Sequence, residues 1–164
     1  MKLVSITDEH AATMIDPREY LAHLPQLAPS MPAGAHAFAT DPDHYDFFGK
    51  RCVKDLKLAG MAIDNSGDET TIEISLRHNC WKHEDDLNIR YSGVHDLEIN
   101  IGVQSKWLHI DLPVILDEIL PHPHGCSHEI ALHGGTILIT CRDLTATWTE
   151  AYCPDKKPAA GGSQ

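Results

Sequence analysis

Thr71-Ile72-Glu73-Ile74-Ser75-Leu76-Arg77 alternates apolar and polar residues without a break. A strand turns successive side chains to opposite faces, so Ile72, Ile74 and Leu76 share one face and Glu73, Ser75 and Arg77 the other. The segment therefore predicts a half-buried strand, and the same period of two recurs downstream. Leu87, Ile89 and Tyr91 alternate with Asn88 and Arg90, and Leu97, Ile99 and Ile101 alternate with Glu98 and Asn100. Ile137, Ile139 and Cys141 repeat the pattern, as do Leu144, Ala146 and Trp148 against Thr145, Thr147 and Thr149. One wet face on each strand points to antiparallel sheet.

The connections agree. Asp64-Asn65-Ser66-Gly67-Asp68 separates two strands, Ser92-Gly93 marks a tight connection or a bulge, and Gly134-Gly135 is a strong hairpin signal. Leu112 to Leu120 reads either as a strand with an edge proline or as a short helix with Pro113 in its first turn, and the strand is preferred. The predicted fold is α+β, mainly β: an antiparallel sheet, sandwich or partly open barrel of seven or eight strands with a short-helical N-terminal extension.

That extension, residues 1–50, has a different texture. Asp16-Pro17-Arg18-Glu19 is a helix start, with an N-cap acid and a first-turn proline, leading to Leu24. Pro25, Pro29 and Pro32 then break the chain, and Asp41-Pro42 opens one or two helical turns that end at Gly49. Tyr45, Phe47 and Phe48 are apolar enough to dock this segment on the domain that follows. The β domain is expected over 51–153 and a polar, disordered tail over 154–164.

Charge narrows the function. The 164 residues hold 13 Lys and Arg against 24 Asp and Glu, a formal charge of −11 with the 12 His neutral. Phosphate backbones and anionic membrane surfaces repel such a chain, so neither nucleic acid nor membrane is an expected partner. Between Asp111 and Glu150 stand Asp111, Asp117, Glu118, Glu129, Asp143 and Glu150, with Arg142 the single base. This stretch is expected to form an acidic face toward a basic partner. No run is long enough to span a membrane, and the first residues have too short an apolar stretch for an export signal. Cys52, Cys80, Cys126, Cys141 and Cys153 form no CxxC and are odd in number, so they read as reduced thiols of a cytoplasmic protein, with an internal disulfide as the minority reading.

Two polar knots invite chemistry. In Pro121-His122-Pro123-His124-Gly125-Cys126-Ser127-His128-Glu129, the residues His122, His124, Cys126 and His128 are of metal-ligand type at every second position. On one strand face their spacing prevents convergence on one ion, and a loop would be needed to wrap it. His128-Glu129 lacks the second histidine that HExxH requires four residues on. The second knot, His78 to Asp86, reads as an exposed loop carrying Trp81. No GxGxxG, Walker loop or GxSxG is present. The adjacent carboxylates Asp117 and Glu118 fall on opposite strand faces, with a solvated surface as the default. No cofactor and no catalytic residue is expected.

The Ile72–Leu76 strand, Leu87-Asn88-Ile89-Arg90-Tyr91-Ser92-Gly93-Val94, Leu116-Asp117-Glu118-Ile119 and Cys141-Arg142-Asp143-Leu144 together resemble a loose group of small bacterial all-β or α+β proteins. Several of these are immunity proteins of polymorphic toxin systems. The resemblance spans residues 52 to 150 and implies a non-enzymatic cytoplasmic protein that occludes a cognate toxin, in this case one with a basic, nuclease-type site. Its expected contacts are Asp111, Asp117, Glu118 and Glu129 for steering, and Trp81, Trp107 and Tyr45 as aromatic anchors. Charge reversal at Asp117 and Glu118 is then expected to weaken association. The alternative is a metal-binding protein or metal-dependent enzyme using His122, His124, Cys126 and His128.

Overall fold

The computed structural model describes residues 1–9, 12–102 and 112–152. In chain order the elements are β1 (Ser5–Glu9), β2 (Ala12–Asp16), α1 (Arg18–Leu27), a 3-10 turn (Ala28–Ser30) and α2 (Ala33–Ala39). They continue with β3 (Lys57–Asp64), β4 (Thr71–Arg77), β5 (Asp85–Ile101), β6 (Val114–His122), β7 (Gly125–Leu132) and β8 (Gly135–Glu150). β1 and β2 form a hairpin of their own, and the other six strands make one antiparallel sheet in the order β3-β4-β5-β8-β7-β6.

The mainly-β antiparallel fold is therefore the one the alternation predicts. Its two edges approach each other at one end. Asp55 N–H donates to Val114 O, Val114 N–H to Leu56 O and Leu58 N–H to Leu112 O, around a bridge between Lys57 and Pro113. Among the described residues β3 and β6 share no longer register, so the sheet curls without closing into a barrel.

Ile72, Ile74 and Leu76 of β4 are buried, as are Leu87, Ile89 and Tyr91 of β5 and Ile137, Ile139, Cys141 and Leu144 of β8. The covering layer comes from the N-terminal region, through Tyr20, Met31, Ala35, Phe38 and Ala39. Two pairs of predicted strands fuse. β5 runs unbroken through Ser92-Gly93, where Gly93 takes φ +59° and the register shifts between Val94 and Asp96, a bulge in place of a turn. β8 joins Ile137–Cys141 to Leu144–Trp148, with Arg142 exposed where the buried parity switches.

The N-terminal region differs more. β1 and β2 carry no clear sequence signal. α1 runs through Pro25 to Leu27, losing one backbone bond near its end rather than stopping. The predicted helical turns over 41–49 are successive tight turns, with His44 N–H donating to Asp41 O and Gly49 N–H to Asp46 O. The second helix lies earlier, at Ala33–Ala39, and its first N–H groups are capped from β8. Gly34 N–H donates to Asp143 Oδ2 at 3.1 Å and Ala35 N–H to Asp143 Oδ1 at 3.0 Å. Gly34 is required here, because a Cβ would lie 1.8 Å from Leu144 O.

Among the described residues no helix is long and apolar enough to cross a membrane. Cys52, Cys126 and Cys141 are free and buried, whereas Cys80 is disulfide-bonded, against the expectation of reduced thiols throughout.

Candidate functional site

β6 places Asp117 and Glu118 on opposite faces, as adjacent strand residues must be. Neither reaches solvent. Asp117 is 1% exposed and Glu118 2%. The acidic face expected of them is an internal feature, because residues from the N-terminal region cover both sides of β6.

Asp117 is the centre of a sealed polar chain. Its Oδ1 accepts from His44 Nε2 at 2.8 Å and its Oδ2 from His128 Nε2 at 2.8 Å. His44 follows α2, and its Nδ1 meets Phe38 O at 2.8 Å. His128 lies on β7, and its Nδ1 meets Tyr91 Oη of β5 at 2.8 Å. Both nitrogens of His44 face acceptors, so both carry protons and the ring is a cation. His128 faces one acceptor and one hydroxyl, so it donates to Asp117 and shares a hydrogen bond with Tyr91. The chain is a buried ion pair, His44⁺ and Asp117⁻, extended through His128 to Tyr91.

The titration directions agree. Burial opposes the charge on His44, but the Asp117 charge and hydrogen bond, with the Phe38 carbonyl, hold its pKa above the ordinary 6.5. Burial likewise pushes Asp117 up, yet the His44 charge and the hydrogen bonds from both rings hold it well below the usual carboxylate range. Burial raises the Tyr91 phenol well above 10.0, so it remains a donor. These are groups an acid–base enzyme would use, but His44, Tyr91, Asp117 and His128 are all at most 1% exposed. They hold α2, β5, β6 and β7 together.

Glu118 performs the equivalent task on the other face. It accepts the backbone N–H groups of Lys2, Leu3 and Val4 at 2.6, 2.6 and 2.8 Å. Its cross-strand neighbour Glu129 pairs with the Met1 ammonium at 2.6 Å. Tyr45 turns inward: its ring stacks on His44 with centroids 4.3 Å apart, and its hydroxyl donates to Asp117 O at 3.3 Å. Asp117, Glu118, Glu129 and Tyr45 are thus engaged within the chain, and solvent-facing contact is not their arrangement. Asp111 and Trp107 lie outside the described residues.

The metal-ligand run forms a hairpin rather than a wrapping loop. His122 ends β6, Pro123 and His124 make the turn, and Cys126 and His128 lie buried along β7. Cys126 Sγ is 3.6 Å from Cys141 Sγ, and His128 is held by Asp117, whereas His124 stacks outside on His95 with centroids 3.7 Å apart. The four side chains do not converge. Among the described residues no group of three or more His, Cys, Asp or Glu is placed to hold a metal ion.

Trp81 is where the loop reading put it, 72% exposed between β4 and β5. It has two companions that sequence reasoning did not name as contacts, Phe48 at 97% and Tyr152 at 84%. Their segments are tied to the Trp81 loop. Lys50 Nζ reaches Glu84 at 2.8 Å, Arg51 Nε reaches Asp85 at 3.0 Å, and Ala151 N–H donates to Glu84 O at 3.0 Å. Buried His83 fixes the loop from beneath, with Nε2 donating to Cys52 O at 2.9 Å and Nδ1 accepting the Asn79 N–H at 3.2 Å. Three exposed aromatic side chains therefore stand on segments joined at one end of the sheet, which also carry Asp46, Glu84, Asp85, Asp86 and Glu150. The doublet Phe47-Phe48 held the available clue, since in so tight a turn only one of two adjacent rings faces the core.

No protein-family model matches the chain, and no curated protein or solved structure matches it.

Proposed function

We propose that this chain is a non-enzymatic binding protein of the bacterial cytoplasm, an immunity-type inhibitor that occludes the basic, nuclease-type site of a cognate toxin. The observation that carries this reading is the exposed trio Phe48, Trp81 and Tyr152 on three segments joined at one end of the sheet. Large aromatic side chains held on anchored loops are the residues that dominate protein interfaces. Glu84, Asp85 and Asp86 are paired with Lys50, Arg51 and His78, so Asp46 and Glu150, with the net charge of −11 as background, supply the complementary sign for a basic partner. The sealing of the Asp117 chain fits a scaffold role better than catalysis. Steering moves from Asp117 and Glu118 to the rim around Trp81.

The test is co-expression with the toxin encoded beside this chain's gene. Growth should be restored, and Trp81→Ala with Phe48→Ala should weaken the complex about 30-fold or more while the fold is retained. Association should slow steeply with salt. Full rescue by the double variant would remove the docking end from the proposal. Failure of the wild-type chain to block that toxin would remove the immunity reading.

A further inference from the structure

Between α2 and the last third of β8 lies a cavity of about 200 Å³. Phe38 and Trp148 supply aromatic wall, and Gly34, Ala37, Thr145 and Ala146 complete the small-residue lining beside Asp41. Of the lining residues Asp41 alone carries a charge. Its Oδ1 accepts the Asp43 N–H at 2.9 Å, which fixes the side chain in a turn and leaves the carboxylate capacity for further donors.

We propose that this cavity binds an alkylammonium group, of the kind carried by a lysine side chain or a small aliphatic amine. Aromatic faces attract a cation and its methylenes together, and a partly desolvated carboxylate supplies the countercharge. An anion would meet Asp41, and the His44 charge near it is already held by Asp117. A neutral apolar guest would leave that carboxylate partly stripped of water without a partner. The space suffices for four methylenes and an ammonium head. The site owes nothing to the Trp81 end, and neither proposal depends on the other.

The experiment follows the Trp148 indole N–H by nitrogen-15 correlation spectroscopy of the full chain, the signal being assigned by its loss in Trp148→Phe. n-Butylammonium chloride should shift it saturably at millimolar concentration, and n-butanol should not. Asp41→Asn, which preserves the turn, should weaken binding about tenfold. Ala146→Leu, which fills the floor, should abolish it. Nα-acetyl-lysine methylamide binding at least as tightly as n-butylammonium would assign the site to a lysine side chain. Binding of the simple amine alone would assign it to a free amine, and either result supports the proposal. No saturable shift with either ammonium, an equal shift with n-butanol, or unchanged binding in Asp41→Asn would overturn it.

Discussion

Replacing His44 by Phe would remove a buried positive charge while keeping a ring in the slot it occupies. The packing preserved is substantial, since the His44 centroid lies 4.2 Å from that of Phe38 and 4.3 Å from that of Tyr45. What disappears is both N–H donors, leaving the Phe38 carbonyl without its imidazole donor and Asp117 with one of its two side-chain donors. At 1% exposure Asp117 cannot recover the loss from water. Breaking a buried pair from one side costs about 3–5 kcal/mol. Asp117→Asn differs in kind. Its amide can donate to a neutral His44 and accept from His128, so every atom keeps a partner and the cost should be about 1–2 kcal/mol. Urea unfolding followed by circular dichroism gives both values.

The pH dependence separates the two further. His44 has a raised folded pKa, so its contribution is complete below the unfolded value of 6.5 and is lost as pH climbs through the folded one. Asp117 has a lowered folded pKa, so its contribution is complete above 3.8 and is lost only as pH falls through its folded value. The pair is therefore worth most between those limits. Wild-type stability should decline as pH rises above that window, and Asp117→Asn should lose this component, other titrating groups cancelling in the comparison. An Asp117→Asn protein with the wild-type alkaline slope, or His44→Phe cheaper than Asp117→Asn, would refute the ion pair.

Glu118→Ala should release the first four residues, costing about 2–3 kcal/mol, with hydrogen-exchange protection lost at Val4 but kept in β4 and β5. Gly34→Ala should force α2 off β8, because no rotamer relieves contact with a backbone carbonyl; reduced helicity and a lower Tm would report it. Burial, only partly offset by its bond to Cys52 O, lowers the His83 pKa, so the stability it lends the Trp81 loop is present above pH 6.5 and is lost as pH falls. Protection factors of residues 79–84 should fall on acidification, and affinity for the proposed partner should fall with them. The proposed cytoplasmic role requires the Trp81 end to work with Cys80 reduced, so affinity for the proposed partner should be unchanged by dithiothreitol; loss on reduction would place the action in an oxidising compartment.

Much of the sheet was legible because its strands are wet on one side. Ile72–Leu76 and Leu87–Tyr91 advertise their faces, and Gly134 marks a real turn. β6 was harder to read, since Val114 to Ile119 are buried on both faces and no period survives. Asp117 and Glu118 looked like solvated acids because their partners are remote. His44 stands 73 residues away and Lys2 116. No local pattern encodes such a contact. α2 was invisible for a related reason: its sequence contains no side-chain cap, and the one it uses comes from Asp143. Trp81 was readable as an exposed loop residue, but its grouping with Phe48 and Tyr152 depends on two ion pairs and a backbone hydrogen bond across three segments.

The capping of α2 by Asp143 also sets a timetable. A ribosome delivers Gly34 and Ala35 long before the carboxylate that holds their N–H groups, and His44 and Val4 likewise precede Asp117 and Glu118. The first fifty residues must remain unanchored until β6 and β8 have emerged, because the contacts that order them span 73 to 116 residues. Synthesis halted before Asp143 would thus leave α2 without its cap, exposed to proteases and to other nascent chains. For the proposed immunity role, speed of completion matters as much as final stability.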